Sequence, residues 1–296
     1  MQSISPIRDR IRGCLVGGAL GDAVALASEF FSAEDAVRIY GSNPRFKLKP
    51  PAPAGYTSMV MDEHRALFDE AGFTDDTDQS LLILMSFLCS GGDTRNGIDA
   101  LDFAQRLRHW VEFGFRPLDK LAVDVGNTVS VVVNDPDFLN DPLTTAARIW
   151  VTGGRKNAAN GAVMRTCVIG ALFFNKMDQL YNLASTFERL ITELTMAGGD
   201  SDTNAAVAGS MLGALFGHSN LPSEWLQDLN GGEWLLKKAD AAAYLILREG
   251  EPYDHKTDQD NLVDGGKGDM SKQELDAKWA KVRAIQHRRM FQSTSR

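Results

Sequence analysis

The chain has 296 residues, 44 % of them apolar and 24 % charged, with a formal net charge of −8. These values are ordinary for a globular protein with one large core. The acidic balance excludes a general nucleic-acid binder, which needs a basic stripe to release phosphate counterions. Apolar runs such as Leu81 to Met85 fall far short of the roughly 20 residues that a membrane span requires. The N-terminus MQSISPIRDR has no apolar core of a secretory signal. Cys14, Cys89 and Cys167 all sit in apolar or small-residue stretches, an odd set that predicts buried, reduced thiols in a cytoplasmic protein.

Helical patterns dominate the chain. Residues 7–28 place Gly13, Gly17 and Gly21 four apart, on one helix face that another helix can approach closely. Residues 41–58, rich in Pro and Gly, read as a loop. Residues 78–89 are apolar nearly all round and stop at Gly91-Gly92, the pattern of a short buried helix. Ile98, Leu101, Ala104, Leu107 and Val111 give helical spacing over 98–113. Val129 to Val133 is the one strand-like run. Phe187, Leu190, Ile191 and Leu194 predict a helix over 183–197, and the small residues of 203–216 suit a thin helix inside a bundle.

Residues 250–270 read as a flexible loop in which Asp254, Asp258, Asp260 and Asp264 miss the spacing of a calcium-binding EF-hand. Ser271 to Glu274 is a capping box opening a helix with Leu275, Trp279, Val282 and Ile285 on one face. Arg283, Arg288 and Arg289 make the nearest thing to a basic cluster, read as the solvated end of that helix. The expected architecture is an all-α, single-domain multi-helix bundle over 1–229, with 230–296 as a helical C-terminal extension packed on it.

Two acidic clusters stand at helix starts: Thr74-Asp75-Asp76-Thr77-Asp78, and Gly199-Asp200-Ser201-Asp202-Thr203-Asn204. Asp and Thr are good N-caps, and first-turn carboxylates suit the helix dipole. Capping accounts for one carboxylate per helix, not for three aspartates in four positions. Carboxylates and hydroxyls on a tight turn are the donor set of Mg²⁺, and Asp202 is placed to bridge two ions. The histidines, His64, His109, His218, His255 and His287, lack metal-ligand spacing and read mostly as solvated positions. Neither a Gly-x-Ser-x-Gly elbow nor a P-loop is present. Three shorter motifs remain: Gly21-Asp22-Ala23 with Glu29 downstream, Asp124 to Thr128, and Asn160 to Arg165. Gly126 and Gly161 permit close backbone approach to a ligand, Asn127 and Asn160 add hydrogen bonds, and Arg165 suits either a phosphate or a carboxylate.

Taken together, RGCLVGGALGDAVALASEF, FTDDTDQSLLILMSFL, DVGNT, NGAVMR and AGGDSDTNAAVAGSMLGALFG resemble the ADP-ribosylglycohydrolase family, in that family's order, from residue 12 to 217. The resemblance implies an all-α fold and a binuclear Mg²⁺ centre, with Mn²⁺ as a substitute. Its ligands would be Thr74, Asp75, Asp76, Asp200, Asp202 and Thr203. Glu29 matches a glutamate on a flap beside the substrate and Asp124 an acidic residue near the scissile ribose, which makes these two the candidate catalytic groups. Gly126, Asn127, Thr128, Asn160, Gly161, Met164 and Arg165 would line the ADP-ribose site. Ala25 stands where the family has a glycine, and the 166–199 interval is shorter than the family's and lacks its Thr-His motif.

The implied activity is Mg²⁺-dependent hydrolysis of the glycosidic bond between ADP-ribose and a protein side chain or small acceptor. The expected partners are an ADP-ribosylated protein or an ADP-ribose-containing small molecule, with no membrane involved. A catalytically impaired ADP-ribose-binding or structural paralogue is the alternative, and a Mg²⁺ phosphohydrolase acting on a nucleotide is a third reading.

Overall fold

The computed structural model describes residues 5–93, 99–156, 159–172 and 184–293. Among them, twelve α-helices carry the architecture and a two-residue parallel strand pair is the whole of the sheet. The all-α expectation holds.

α1 (Pro6–Ala25) opens on Ser5, whose hydroxyl accepts from the Arg8 amide, with Pro6 in the first turn. α2 (Ala33–Tyr40) follows, capped by Ser32. The 41–58 stretch contains β1 (Phe46–Lys47) and β2 (Thr57–Ser58), paired in parallel. α3 (Asp75–Cys89) is the predicted buried helix, apolar from Leu81 to Leu88. α4 (Ala100–Phe113) buries Ala104, Leu107 and Trp110; Ile98 lies outside the described residues. α5 (Asn127–Val133) and α6 (Pro142–Thr152) precede α7 (Gly161–Leu172) and α8 (Ala184–Ala197). Part of the short 166–199 interval, residues 173–183, and the Phe187 side chain lie outside the described residues. α9 (Ser201–Phe216), α10 (Ser223–Asp228), α11 (Gly232–Leu247) and α12 (Lys272–Ser293) complete the order.

Three expectations need correction. Val129 to Val133 is not a strand but most of α5. Val133 is buried, Val129 and Val132 pack on the core, and Val131 is exposed, which is helical and not alternating spacing. With no neighbouring strand to pair, β-branched propensity yields to packing against α4. The cysteines are free but not all buried: Cys14 is buried, Cys167 half-buried and Cys89 exposed at the end of α3. The acidic loop after α11 is pinned, not flexible. The buried Lys238 ammonium lies 2.6 Å from Asp258 and 3.1 Å from Asp260, and Tyr253 and Trp234 donate to the same two carboxylates. Of the C-terminal arginines, Arg283 and Arg288 are exposed, while Arg289 donates to the Phe68 carbonyl. No helix among the described residues is long and apolar enough to cross a membrane.

α1 is the spine, and the packing of α9 along it decides where the site forms. A Cβ built on Gly13 would stand 2.1 Å from the Gly213 carbonyl oxygen, on Gly17 2.4 Å from that of Gly209, and on Gly21 2.0 Å from that of Ala205. As numbering rises along α1 it falls along α9, so the two run antiparallel with backbones touching. Glycine inside a helix costs about 1 kcal/mol relative to alanine; here continuous backbone contact offsets that loss. α11 lies along α1 on another side, tied by Arg8 and Arg12 to Asp240, with its alanine face (Ala239, Ala241, Ala242, Ala243) in the main core.

Candidate active site

The antiparallel α1/α9 contact sets the C-terminal end of α1 beside the N-terminus of α9. Ser201 donates to the Ala25 carbonyl at 2.8 Å, locking that junction. One turn earlier on α1 stands Asp22, fully buried. Its carboxylate accepts from the Thr74 amide at 2.9 Å, from the Thr77 amide at 3.0 Å and from the Thr77 hydroxyl at 2.5 Å. Asp22 therefore caps the start of α3 from a different helix, and one segment of α1 holds both acidic turns.

The turns converge. Thr203 faces Asp76 across them, and the charges of Asp22, Asp75 and Asp200 all bear on Asp76. Asn160, just ahead of α7, donates to the Asp200 carboxylate and at 3.2 Å to the Thr203 hydroxyl. Thr74 does act as a conventional N-cap, accepting from the Asp76 amide at 3.3 Å. Asp200 occupies the N-cap position of α9 yet makes no side-chain cap bond. Not every aspartate needs a metal: Asp78 is neutralised by the Lys120 ammonium at 2.8 Å and accepts from Trp110 at 3.1 Å. Two oxygens stay unexplained. Asp76 Oδ2 and Asp202 Oδ1 are buried with no hydrogen-bond partner, a costly state for a carboxylate unless a cation completes it.

The same crowding shifts the carboxyl groups. Burial, then the charges of Asp22, Asp78 and Asp124, pushes Asp75 up to about 8. Burial and the surrounding carboxylates also raise Asp76 and Asp202, the latter facing Glu29, Asp76, Asp22 and Asp200. Folded values above the ordinary 3.8 mean that folding favours the protonated acids. Their stability contribution is intact below pH 3.8 and is lost as pH rises, for Asp75 until about 8. The expected result is that the thermal midpoint in chelator falls between about pH 5 and pH 8, measured by calorimetry at constant ionic strength.

The catalytic candidates lie beside the turns. Glu29 is 5 % exposed in the turn after α1. Arg65, itself buried, grips that turn: its guanidinium donates to the Ala27 and Glu29 carbonyls and covers the Phe31 ring at 4.0 Å. Two backbone bonds join this turn to the second acidic turn, the Phe30 amide donating to the Gly199 carbonyl at 2.7 Å and the Gly199 amide to the Phe31 carbonyl at 2.8 Å. Asp124 is exposed with φ +61, a strained backbone for a non-glycine residue.

His64 departs from the expectation that most of the histidines are solvated positions. Its Nε2 stands 2.6 Å from Glu29 and 4.0 Å from Asp124, and among the described residues these three form the one group of three or more metal-ligating side chains whose ligand atoms all lie within 4.8 Å of one another. The sequence carries no motif that marks it. Asp22 is also absent from the predicted site, although a lone carboxylate in a glycine-rich apolar helix was a readable signal. Lys120 left none.

The predicted ligand-lining residues lie nearby in part. Arg165 donates to Gln79 at 2.7 Å, and Gln79 donates to Asp75 at 2.8 Å, so Arg165 is coupled to the first turn through an amide and not by direct carboxylate pairing. Thr128, Gly161 and Arg165 line a cavity of about 200 Å³ with Trp150 and Ile149. Met164 is buried, with its carbonyl accepting from Ser80. Gly126 and Asn127 are exposed at the start of α5. A Cβ on Gly126 would meet nothing within 4 Å, so the fold itself does not demand glycine there. Gly126→Val is expected to leave the unfolding free energy within about 0.5 kcal/mol of the parent while weakening ADP-ribose binding in calorimetry.

The ADP-ribosylglycohydrolase family model matches residues 3–186 and 179–254, breaking inside the short 166–199 interval. The ADP-ribosyl-[dinitrogen reductase] glycohydrolase of Rhodospirillum rubrum is 23 % identical over 277 residues, covering 76 % of this chain and 91 % of that protein. A solved structure, described as an ADP-ribosylglycohydrolase-related protein complex, aligns over 82 % of this chain and all of its own at 22 % identity and a TM-score of 0.45. With most of its length under the family match, the chain belongs to the ADP-ribosylglycohydrolase family of hydrolases.

Proposed function

We propose that this protein is a Mg²⁺-dependent hydrolase that cleaves the bond between ADP-ribose and a protein side chain or small acceptor. The observation that carries the reading is the meeting of Asp76 and Asp202, each with an unpartnered buried oxygen, beside Glu29. Thr74, Asp75, Asp76, Asp200, Asp202 and Thr203 would hold the ions. When bound, Mg²⁺ orients ribose hydroxyls and stabilises charge at the reacting centre, a role for which Mn²⁺ also serves.

The chain's own residues do the rest. Glu29 is screened from bulk solvent and anchored through Oε2 by His64, leaving Oε1 to take the proton of the attacking water. Asp124, on the loop before α5, positions the ribose. Thr128, Asn160, Gly161, Met164 and Arg165, with Gly126 and Asn127 at the rim, receive the remainder of the ADP-ribose. The rhodospirillal relative is named for an ADP-ribosyl protein substrate, which favours a protein acceptor.

The test is release of ADP-ribose from ADP-ribosyl-arginine and ADP-ribosyl-serine peptides with Mg²⁺ and with chelator. Metal-dependent release supports the reading. The break in the family match favours one alternative, a binder that keeps the fold without turnover; tight ADP-ribose binding with no release from any peptide is its signature and would overturn the hydrolase.

A further inference from the structure

Glu29, His64 and Asp124 come from three separate segments, and a second, small apolar core sits directly behind them. That core is Leu26, Phe68 and Val123, with Met59, Leu67 and Trp279 packed on it. Leu26 belongs to the turn bearing Glu29, Phe68 ends the short helical turn that starts beside His64, and Val123 adjoins Asp124. Trp279 comes from α12, which also donates from Gln286 to the Glu63 carbonyl at 2.6 Å and from Arg289 to the Phe68 carbonyl. α12 lies beyond the family match, which ends at residue 254. The His64 ring is flanked by Phe30 at 5.0 Å and Phe68 at 5.2 Å, with its Nε2 at 2.6 Å from Glu29.

We propose that His64 is a positioning residue that fixes the Glu29 carboxylate beside Asp124, and that α12 holds this arrangement together through Trp279. The proposal rests on the reading of Glu29 as the proton acceptor. The charged groups facing His64 are Glu29 from the turn after α1, Asp124 from the loop before α5, and its neighbour Arg65. From α12, Arg289 reaches the same segment through the Phe68 carbonyl. Burial draws the imidazole down and Arg65 adds to this, yet the Glu29 bond and the Glu29 and Asp124 charges leave it raised above 6.5. A cationic imidazole keeps Glu29 from rotating away; above its titration a neutral Nε2–H still donates, more weakly.

The experiment has two arms, on full-length protein. In the first, the His64 titration is followed by NMR of ¹⁵N-histidine-labelled protein. The midpoint is expected above that of an ordinary histidine, and lower by about one pH unit in Glu29→Gln, with Trp279→Ala moving it the same way. Should Trp279→Ala fail to fold, Gln286→Leu, which removes the bond to Glu63, carries the same test. In the second, kcat and KM are measured for ADP-ribosyl-arginine peptide. His64→Phe is expected to lower kcat about 10- to 100-fold at unchanged KM, and His64→Gln, whose amide can still donate to Glu29, to recover most of it. A midpoint indifferent to Glu29→Gln, or full kcat in His64→Phe, overturns the proposal. If no substrate turns over, the hydrolase reading fails on that arm, while the NMR arm still decides whether His64 and α12 hold Glu29.

Discussion

Asp202→Asn combined with Asp76→Asn is expected to lower kcat/KM for ADP-ribosyl peptides by about 10³ or more, while raising the thermal midpoint of the chelator-treated protein. The first effect follows from removing the two carboxylates whose buried oxygens have no other partner. Metal-borne charge stabilisation is worth several kcal/mol, and each 1.4 kcal/mol is about tenfold in rate. The second follows from the raised pKa values of the same groups: without a cation, folding forces crowded acids to hold protons that they would release in the unfolded chain. Neutral amides of the same shape remove that penalty, a gain on the order of 1–3 kcal/mol in metal-free stability. Activity and metal-free stability should therefore move in opposite directions. A double variant that is less stable in chelator would show that these aspartates serve the fold and not an ion.

Gly213→Val is expected to abolish folding, or to cost more than about 4 kcal/mol if a soluble chain survives. A Cβ at this position stands 1.9 Å from the Gly13 carbonyl oxygen and 2.5 Å from its carbon, and both obstacles are backbone, so no side chain can swing aside. α9 would have to leave α1 along its whole length. Because Asp22 and Asp202 face each other only through that contact, a partly folded survivor should also lose metal binding. Circular dichroism and urea titration read the first effect. The Gly126→Val comparison isolates it, since that substitution adds a similar side chain where space is open.

The helices that carry the acidic turns were legible because two signals coincide at each: acidic N-terminal residues, then an unbroken apolar or small-residue run (Leu81 to Leu88, Ala205 to Phe216). The glycines at every fourth position of α1 announced a close helix contact, and only the identity of the partner was hidden. α5 was not legible, because Val129, Val131, Val132 and Val133 carry strand propensity that packing on α4 overrules. His64 could not be found at all. Its partner Glu29 is 35 residues away, and Phe30 and Phe68 meet around its ring only in the folded chain. The purpose of three aspartates in one turn was half legible: crowding called for positive charge, but for Asp78 that charge is Lys120, a residue brought in by tertiary structure.

Calorimetric titration of Mn²⁺ into chelator-stripped protein tests most directly whether the two acidic turns are joined by dications. Two ions bound per chain, with binding lost in Asp202→Asn, is the predicted result. Absence of binding, or an isotherm unchanged by Asp202→Asn and by Asp76→Asn, would contradict it.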